Sequence, residues 1–245
     1  MVTIVNNPGG IGDKIIYLSF PENYFKNTGK KLLSPQKEEW FFKYNPYIEE
    51  GYSNELLEFS SIPTNYKEEI IPSVAYRIIK NANINIGDRR VFLRHPRLYI
   101  HENIKKEKYI TIHSTGITCG GSIPDNVLEK IKEKYSNFRI IQIGGPNDKK
   151  VYFAEDFTGL SVFDTAELIS KSIIFIGPNS GMMNLAFCYP STCKKIILLN
   201  KEEKEIEYFY PFKKNINDSN WLDFHYTLYN THDLDIGITF SYTKI

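Results

Sequence analysis

Three glycine-bearing segments, each following a short β-branched or apolar run, hold the side chains with which this chain could do chemistry. The first is Gly9-Gly-Ile-Gly-Asp13, after Thr3-Ile-Val5. Glycines let the backbone approach a ligand, and a helix start presents free N–H groups. Asp13 then stands in the first helical turn, either as a cap favoured by the partial positive charge there or as a carboxylate held for general-base work. The second is a pair of loops, Ser114-Thr-Gly-Ile-Thr-Cys-Gly-Gly121 and Gly144-Gly-Pro-Asn-Asp148. Their hydroxyls and exposed N–H groups suit a diphosphate, although the same residues build ordinary turns. The third is Gly177-Pro-Asn-Ser-Gly181, followed by Met182-Met-Asn-Leu-Ala186. Its spacing is not the G-x-S-x-G of an α/β-hydrolase, and no histidine and acid follow in a fitting context, since His225 and His232 lie in an aromatic tail. A hydrolase is set aside on that ground.

These segments need strands to end on and helices to begin. In the first half, Thr3–Val5 reads as a strand and Ile11–Phe20 as one helix, with Ile11, Ile15, Ile16 and Leu18 as its apolar positions. Lys30–Leu33 reads as a second strand, Glu38–Lys43 as a short helix, Tyr66–Asn81 as a helix and Arg97–Ile100 as a strand. The second half alternates more clearly. Strands are expected at Tyr109–His113, Arg139–Ile143, Ile173–Ile176 and Lys195–Leu199. Helices are expected from Pro124 to Tyr135, from Phe163 to Lys171 and from Met182 to Phe187. Alternating strands and helices imply parallel sheets, with ligand loops at the carboxyl ends of the strands. The Lys/Glu-rich stretch Glu102–Lys108 reads as a solvated linker. It divides the chain into residues 1–103 and residues 104–245. The expected architecture is α/β, with parallel sheets in both parts.

Bulk properties narrow the partners. The chain has 245 residues, 30 basic and 29 acidic, for a formal net charge of +1. No basic footprint argues for nucleic acid. The three cysteines, Cys119, Cys188 and Cys193, match no zinc spacing. No stretch reaches the roughly 18 apolar residues of a membrane span, and the start lacks the features of a signal peptide. A cytoplasmic protein is expected, with peripheral contact at the inner face of the membrane left open.

Together the motifs resemble the ADP-heptose:lipopolysaccharide heptosyltransferases, glycosyltransferase family nine. Gly9-Gly-Ile-Gly-Asp13-Lys-Ile-Ile is similar to the family's opening G-x-G-D segment, and Phe41-Phe-Lys-Tyr-Asn-Pro-Tyr-Ile48 to its N-P-Y-I-D segment. Arg97-Leu-Tyr-Ile100 is similar to the stretch before its interdomain linker. Gln142-Ile-Gly-Gly145 with Asp148 resembles its second-domain glycine loop. Phe157-Thr-Gly-Leu160, Ala166-Glu-Leu-Ile169 and Gly177–Ala186 resemble its closing motifs, where D-S-G-x-M-H-L-A is usual.

The resemblance implies a GT-B-like fold, two Rossmann-like domains with parallel sheets facing across a cleft: residues 1–103 on the acceptor side and residues 104–245 binding the nucleotide-sugar, with a tail packing back. It implies inverting, metal-independent sugar transfer from a nucleotide-sugar, ADP-linked, to a bacterial surface glycan, such as lipopolysaccharide or capsule, or a similar acceptor. No cofactor is implied, the nucleotide-sugar being a substrate. Asp13 becomes the base toward the acceptor hydroxyl. Gly10, Gly12, Ser114, Thr115, Gly144, Gly145, Asp148, Asn179, Ser180, Gly181 and Asn184 become the donor-binding set. Displacement at an anomeric carbon needs a carboxylate near the acceptor and dipoles near the departing diphosphate. Three departures stand out. Asn179 replaces the family's aspartate, Asn184 replaces its histidine, and Gly121-Ser-Ile-Pro124 lacks the lysine usual before that proline. They favour a second reading, a catalytically silent nucleotide or nucleotide-sugar binding protein. An epimerase on the same architecture would need more acids and a histidine at the site.

Overall fold

The computed structural model describes residues 2–4, 10–16, 18, 20–57, 97–100, 104–116, 121–178, 180–189, 194–200, 224–229 and 238–241. The chain divides into two compact units, Met1–Ile100 and His101–Ile245.

In the first unit, β1 (Val2–Ile4), β2 (Leu32–Ser34), β3 (Ile48–Glu50) and β4 (Glu55–Leu57) form a parallel sheet in the order β3-β2-β1-β4. The single helix expected over Ile11–Phe20 is instead two, α1 (Ile11–Ile16) and α2 (Phe20–Thr28). Pro21 explains the second start: it has no N–H to continue α1, and it is tolerated in a first turn. The helix expected at Glu38–Lys43 is a 3-10 turn at Trp40–Tyr44. Lys37, ahead of this turn, reaches forward to its end, donating to the carbonyls of Phe42 at 2.5 Å and Lys43 at 2.6 Å.

Arg97–Ile100 is not the expected strand. Its apolar alternation buries Leu98 and Ile100 without a ladder, while the Tyr99 hydroxyl donates to Glu22 Oε2 at 2.9 Å. Glu22 also pairs with Lys26 and, at 3.6 Å, with Arg97. Burial pushes the Glu22 carboxyl up, but the bonds from Lys26 and Tyr99 and the nearby cations outweigh it and hold it below its ordinary range. The helix expected at Tyr66–Asn81 lies outside the described residues.

The second unit holds β5 (Tyr109–His113), β6 (Arg139–Ile143), β7 (Glu155–Asp156), β8 (Ile174–Pro178), β9 (Lys194–Asn200), β10 (Phe224–Tyr229) and β11 (Ile238–Ser241). Their order is β11-β10-β9-β8-β5-β6-β7, parallel except for the β10–β11 pair. The helices are α3 (Asp125–Lys134), α4 (Val162–Lys171) and α5 (Gly181–Phe187). Every residue of β5 is buried, as a central parallel strand requires. Ile110, Ile112, Ile123, Leu128, Ile131, Ile140 and Ile176 share one apolar cluster. Leu128 and Ile131 come from one face of α3, at the i, i+3 spacing of its pattern. On the opposite side of the sheet, Tyr109 donates to the Leu168 carbonyl at 2.8 Å.

Within the charged run before β5, Lys105, Glu107 and Lys108 are exposed, while the stem of the run is tied to α4. Lys106 Nζ donates to the carbonyls of Ser170 at 2.5 Å and Ser172 at 2.7 Å, and the Glu107 amide to Lys171 O at 2.9 Å. A lysine at the carboxyl end of α4 satisfies carbonyls that the helix leaves open. The aromatic tail supplies β10 and β11, which extend this sheet from its β9 edge.

Candidate functional site

In this sheet β5 has β6 on one side and β8 on the other, so the chain leaves β5 in one direction and returns across it to enter β8. Such a reversal opens a crevice at the carboxyl ends of the strands, where open α/β sheets bind ligands. The residues just past β5, β6 and β8 are the three glycine segments of the second unit.

One imidazole joins these segments. His113, the last residue of β5, is buried. Its Nε2 lies 3.1 Å from Asp148 Oδ2, in the loop after β6. Its Nδ1 lies 3.0 Å from Ser180 Oγ, at the start of α5. The Gly145 amide donates to the same Asp148 oxygen at 2.8 Å. Burial pushes the Asp148 carboxyl up; the bond and charge of His113, the Gly145 N–H and Lys150 act against it and leave it below its ordinary value of 3.8. Ser180 caps α5, accepting from Met183 N at 3.3 Å.

Two glycines make room for His113. A methyl on Gly144 would fall 2.6 Å from His113 Cδ2 and 2.1 Å from Asp148 Oδ2, and Gly144 has φ +132. A methyl on Gly177 would fall 3.2 Å from His113 Cβ and 2.9 Å from Phe175 Cζ. Gly144 thus allows a close approach to the ring, and Gly177 a close approach of β8 to β5 at His113.

A second network lies beneath. The buried Gln142 side chain, in β6, donates to Ser114 Oγ at 3.2 Å and to Lys149 O at 2.8 Å, and accepts from Val151 N at 2.7 Å. Ser114 Oγ donates to Lys149 O at 2.5 Å. Thr115 Oγ1 accepts from Lys149 N at 3.1 Å and lies 3.3 Å from Ser122 Oγ. Lys149 Nζ crosses to the Ile123 carbonyl at 2.8 Å and Asp125 Oδ1 at 2.7 Å. A cation thus stands beside Pro124 although that segment carries none of its own.

Of the donor set expected from sequence, Ser114, Thr115, Gly144, Gly145, Asp148, Ser180 and Gly181 gather at this crevice, with Asn184 one turn into α5. Ser114 is fully buried, and its hydroxyl is engaged with Gln142 and Lys149. The Asn184 amide donates to Ser180 O at 3.2 Å inside the helix. Asn179 lies outside the described residues. Gly10, Gly12 and Asp13 belong to the first unit: the Gly10 carbonyl accepts from Lys14 N at 3.2 Å, and Asp13 sits in the first turn of α1. His113, Gln142 and Lys149 were not among the sequence candidates. The available signal for His113 was a polar side chain closing an otherwise apolar strand directly before a glycine loop.

Serine, histidine and aspartate in contact have the composition of a hydrolytic triad. Here the histidine and acid precede the serine in the chain, and the serine oxygen is engaged in capping its own helix. Among the described residues no group of three or more His, Cys, Asp or Glu is placed to hold a metal ion, and no helix is long and apolar enough to cross a membrane.

No protein-family model matches the sequence, and no curated protein matches it. Solved structures do resemble the fold. TibC from enterotoxigenic E. coli, an iron-containing dodecameric glycosyltransferase, superposes with a TM-score of 0.56 at 17% identity over 80% of this chain. The chain spans 57% of the length of TibC. E. coli heptosyltransferase WaaC with ADP gives a TM-score of 0.53 at 9% identity, covering 87% of this chain and 98% of that one. A glycosyl transferase of family 9 from Veillonella parvula gives 0.51 at 13% identity, covering 95% and 86%. The fold is α/β, with structural neighbours among the GT-B heptosyltransferases. The family that the sequence motifs resemble is thus the family in which the fold finds its likeness.

Proposed function

We propose that this chain is a glycosyltransferase of the heptosyltransferase type, taking a sugar from a nucleotide-sugar donor to a glycan acceptor. The observation that carries the reading is the convergence of three motif loops on His113 at the switch point of the second sheet. Likeness of fold to WaaC, solved with ADP, supports a donor of the nucleoside-diphosphate kind.

In this reading the diphosphate lies against the Thr115 and Ser180 hydroxyls, and Lys149 brings the cation that the Gly121–Pro124 segment lacks. As the anomeric bond breaks, negative charge grows on the departing diphosphate, where fixed donors and a cation are worth most. Asp13 takes the proton of the acceptor hydroxyl that attacks the opposite face of the anomeric carbon, with inversion and without a metal. The acceptor is a bacterial surface glycan of the lipopolysaccharide or capsule type, reached from the cytoplasmic face of the membrane.

The test is a thermal-shift titration against ADP, UDP, GDP and CDP and their sugar conjugates. A ligand at a hundredfold excess over its dissociation constant stabilises the folded state by about 2.7 kcal/mol. A shift with one nucleotide family identifies the donor class, and transfer from that donor then separates an enzyme from a binding protein. Absence of any shift would remove the donor site.

A further inference from the structure

The hydrogen-bond inventory around His113 permits only certain proton positions. Asp148, ionised and already accepting from Gly145, can only accept, so the ring nitrogen facing it carries a hydrogen. A neutral imidazole has one N–H, so the nitrogen facing Ser180 is then a bare acceptor, and the Ser180 hydroxyl must point its hydrogen inward. The Ser180 oxygen meanwhile accepts from Met183 N. In this state Ser180 offers no donor to anything in front of it. A second proton on the ring reverses the bond: the imidazolium donates to Ser180 Oγ, and the hydroxyl hydrogen is free to turn outward. Gly144 closes on the imidazole, where an added methyl would fall 2.6 Å from Cδ2, and Gly177 closes on the His113 Cβ, where it would fall at 3.2 Å, so the side chain is held from both loops. The change is therefore conveyed as a reversal of hydrogen-bond polarity at one hydroxyl.

The charged group facing His113 from the β6–β7 loop is Asp148. Lys149, beside it, is directed to Ile123 and Asp125, and Lys150, which acts on Asp148, is paired with Asp156. From α5 the facing group is Ser180, and from β8 it is Gly177, which carries no charge.

We propose that binding of a nucleoside-diphosphate sugar in this crevice is coupled to uptake of one proton by His113, which converts Ser180 from an acceptor into a donor toward the diphosphate. The inference rests on the reading that the donor occupies this site. The sign follows directly: the protonated ring favours the anion, so affinity is greatest at low pH and falls as pH rises.

Calorimetric titration of the full chain with ADP-, UDP-, GDP- and CDP-glucose tests it. Their diphosphates are esterified at both ends and do not titrate near neutrality. Each is run in two buffers of different ionisation enthalpy and over a series of pH values at which the protein stays folded. The expected result is a buffer-dependent heat corresponding to uptake of up to one proton, with the dissociation constant rising toward tenfold per pH unit on the alkaline side. Ser180→Ala, which keeps the ring and Asp148, should bind more weakly and lose most of that pH dependence. Binding with buffer-independent heat and a flat pH profile overturns the inference and leaves the donor site standing. Undiminished proton uptake in Ser180→Ala overturns the part given to Ser180. Failure of all four sugar nucleotides to bind overturns the donor-site reading, and the inference falls with it.

Discussion

His113 and Asp148 lie 35 positions apart in the chain, yet their side chains meet at 3.1 Å with both largely shielded from water. The contact fastens the loop after β6 to the end of β5. Asp148 makes it as a carboxylate, which gives the fold a dependence on pH. A carboxyl whose folded pKa lies below its ordinary value of 3.8 contributes stability that is fully present above that value and is lost as pH falls through the folded one. Asp148→Asn should therefore be less stable than the parent at neutral pH, and the difference should shrink below about pH 4. Urea midpoints measured at neutral pH and in that acid range check this; an unchanged difference would remove the carboxylate's charge as the cause.

Gly144 leaves no space for a side chain. Its φ of +132 is one that other residues rarely adopt, and a methyl group would strike Asp148 and His113. Gly144→Ala is expected to lose about 1–3 kcal/mol through strain at this backbone conformation. Chemical denaturation is the measurement, and Gly121→Ala is a comparison at another positive-φ glycine where nothing lies within 4 Å of the added carbon. Equal losses in both would show that conformation alone, without the His113 contact, sets the effect.

Gln142 is a buried amide holding both ends of the loop that carries Asp148 and Lys149. Gln142→Leu keeps the approximate volume but leaves the Val151 N–H without its partner, a deficit of about 1–3 kcal/mol for one buried group. Equilibrium unfolding with an unchanged denaturant slope would show the loss as stability. A variant as stable as the parent would mean that the loop rearranges around the missing amide.

Lys149 and Asp13 act on different steps in the proposed reaction, and kinetics can separate them. Lys149→Met removes the cation beside Pro124, so donor binding should weaken together with transfer. Asp13→Asn should leave donor affinity near the parent's while transfer falls by about 10²–10⁴, the usual contribution of a positioned general base. Donor titration and initial rates on both variants decide it. Unchanged transfer in Asp13→Asn would end the role given to that residue.

Local pattern was enough to read the second unit's layout. Tyr109–His113 and Arg139–Ile143 are short runs with three β-branched residues each, bounded by polar loops, and both are strands with those bounds. The helix over Asp125–Lys134 follows from apolar residues at helical spacing behind a proline. These signals are properties of neighbours in the chain, so one sequence carries them. The first unit was less legible because its strands are three residues long, too short for a period to show, and because a second helix starts at Phe20, with Pro21 in its first turn, at the end of a pattern that reads as one helix.

The sequence by itself determined which segments turn, which are buried strands, and which carry hydroxyls and glycines at strand ends. Tertiary structure alone decided that Gly144 and Gly177 close on one histidine, that Gln142 fills a buried hydrogen-bonding role inside a strand, and that Lys149 delivers its charge to a segment 26 positions away. A side chain's partners across a parallel sheet depend on strand order, and strand order is set by how whole faces pack. The reversal at β5 brings β6 and β8 to its two sides. Nothing in the chain's local spacing states that reversal, and the site exists because of it.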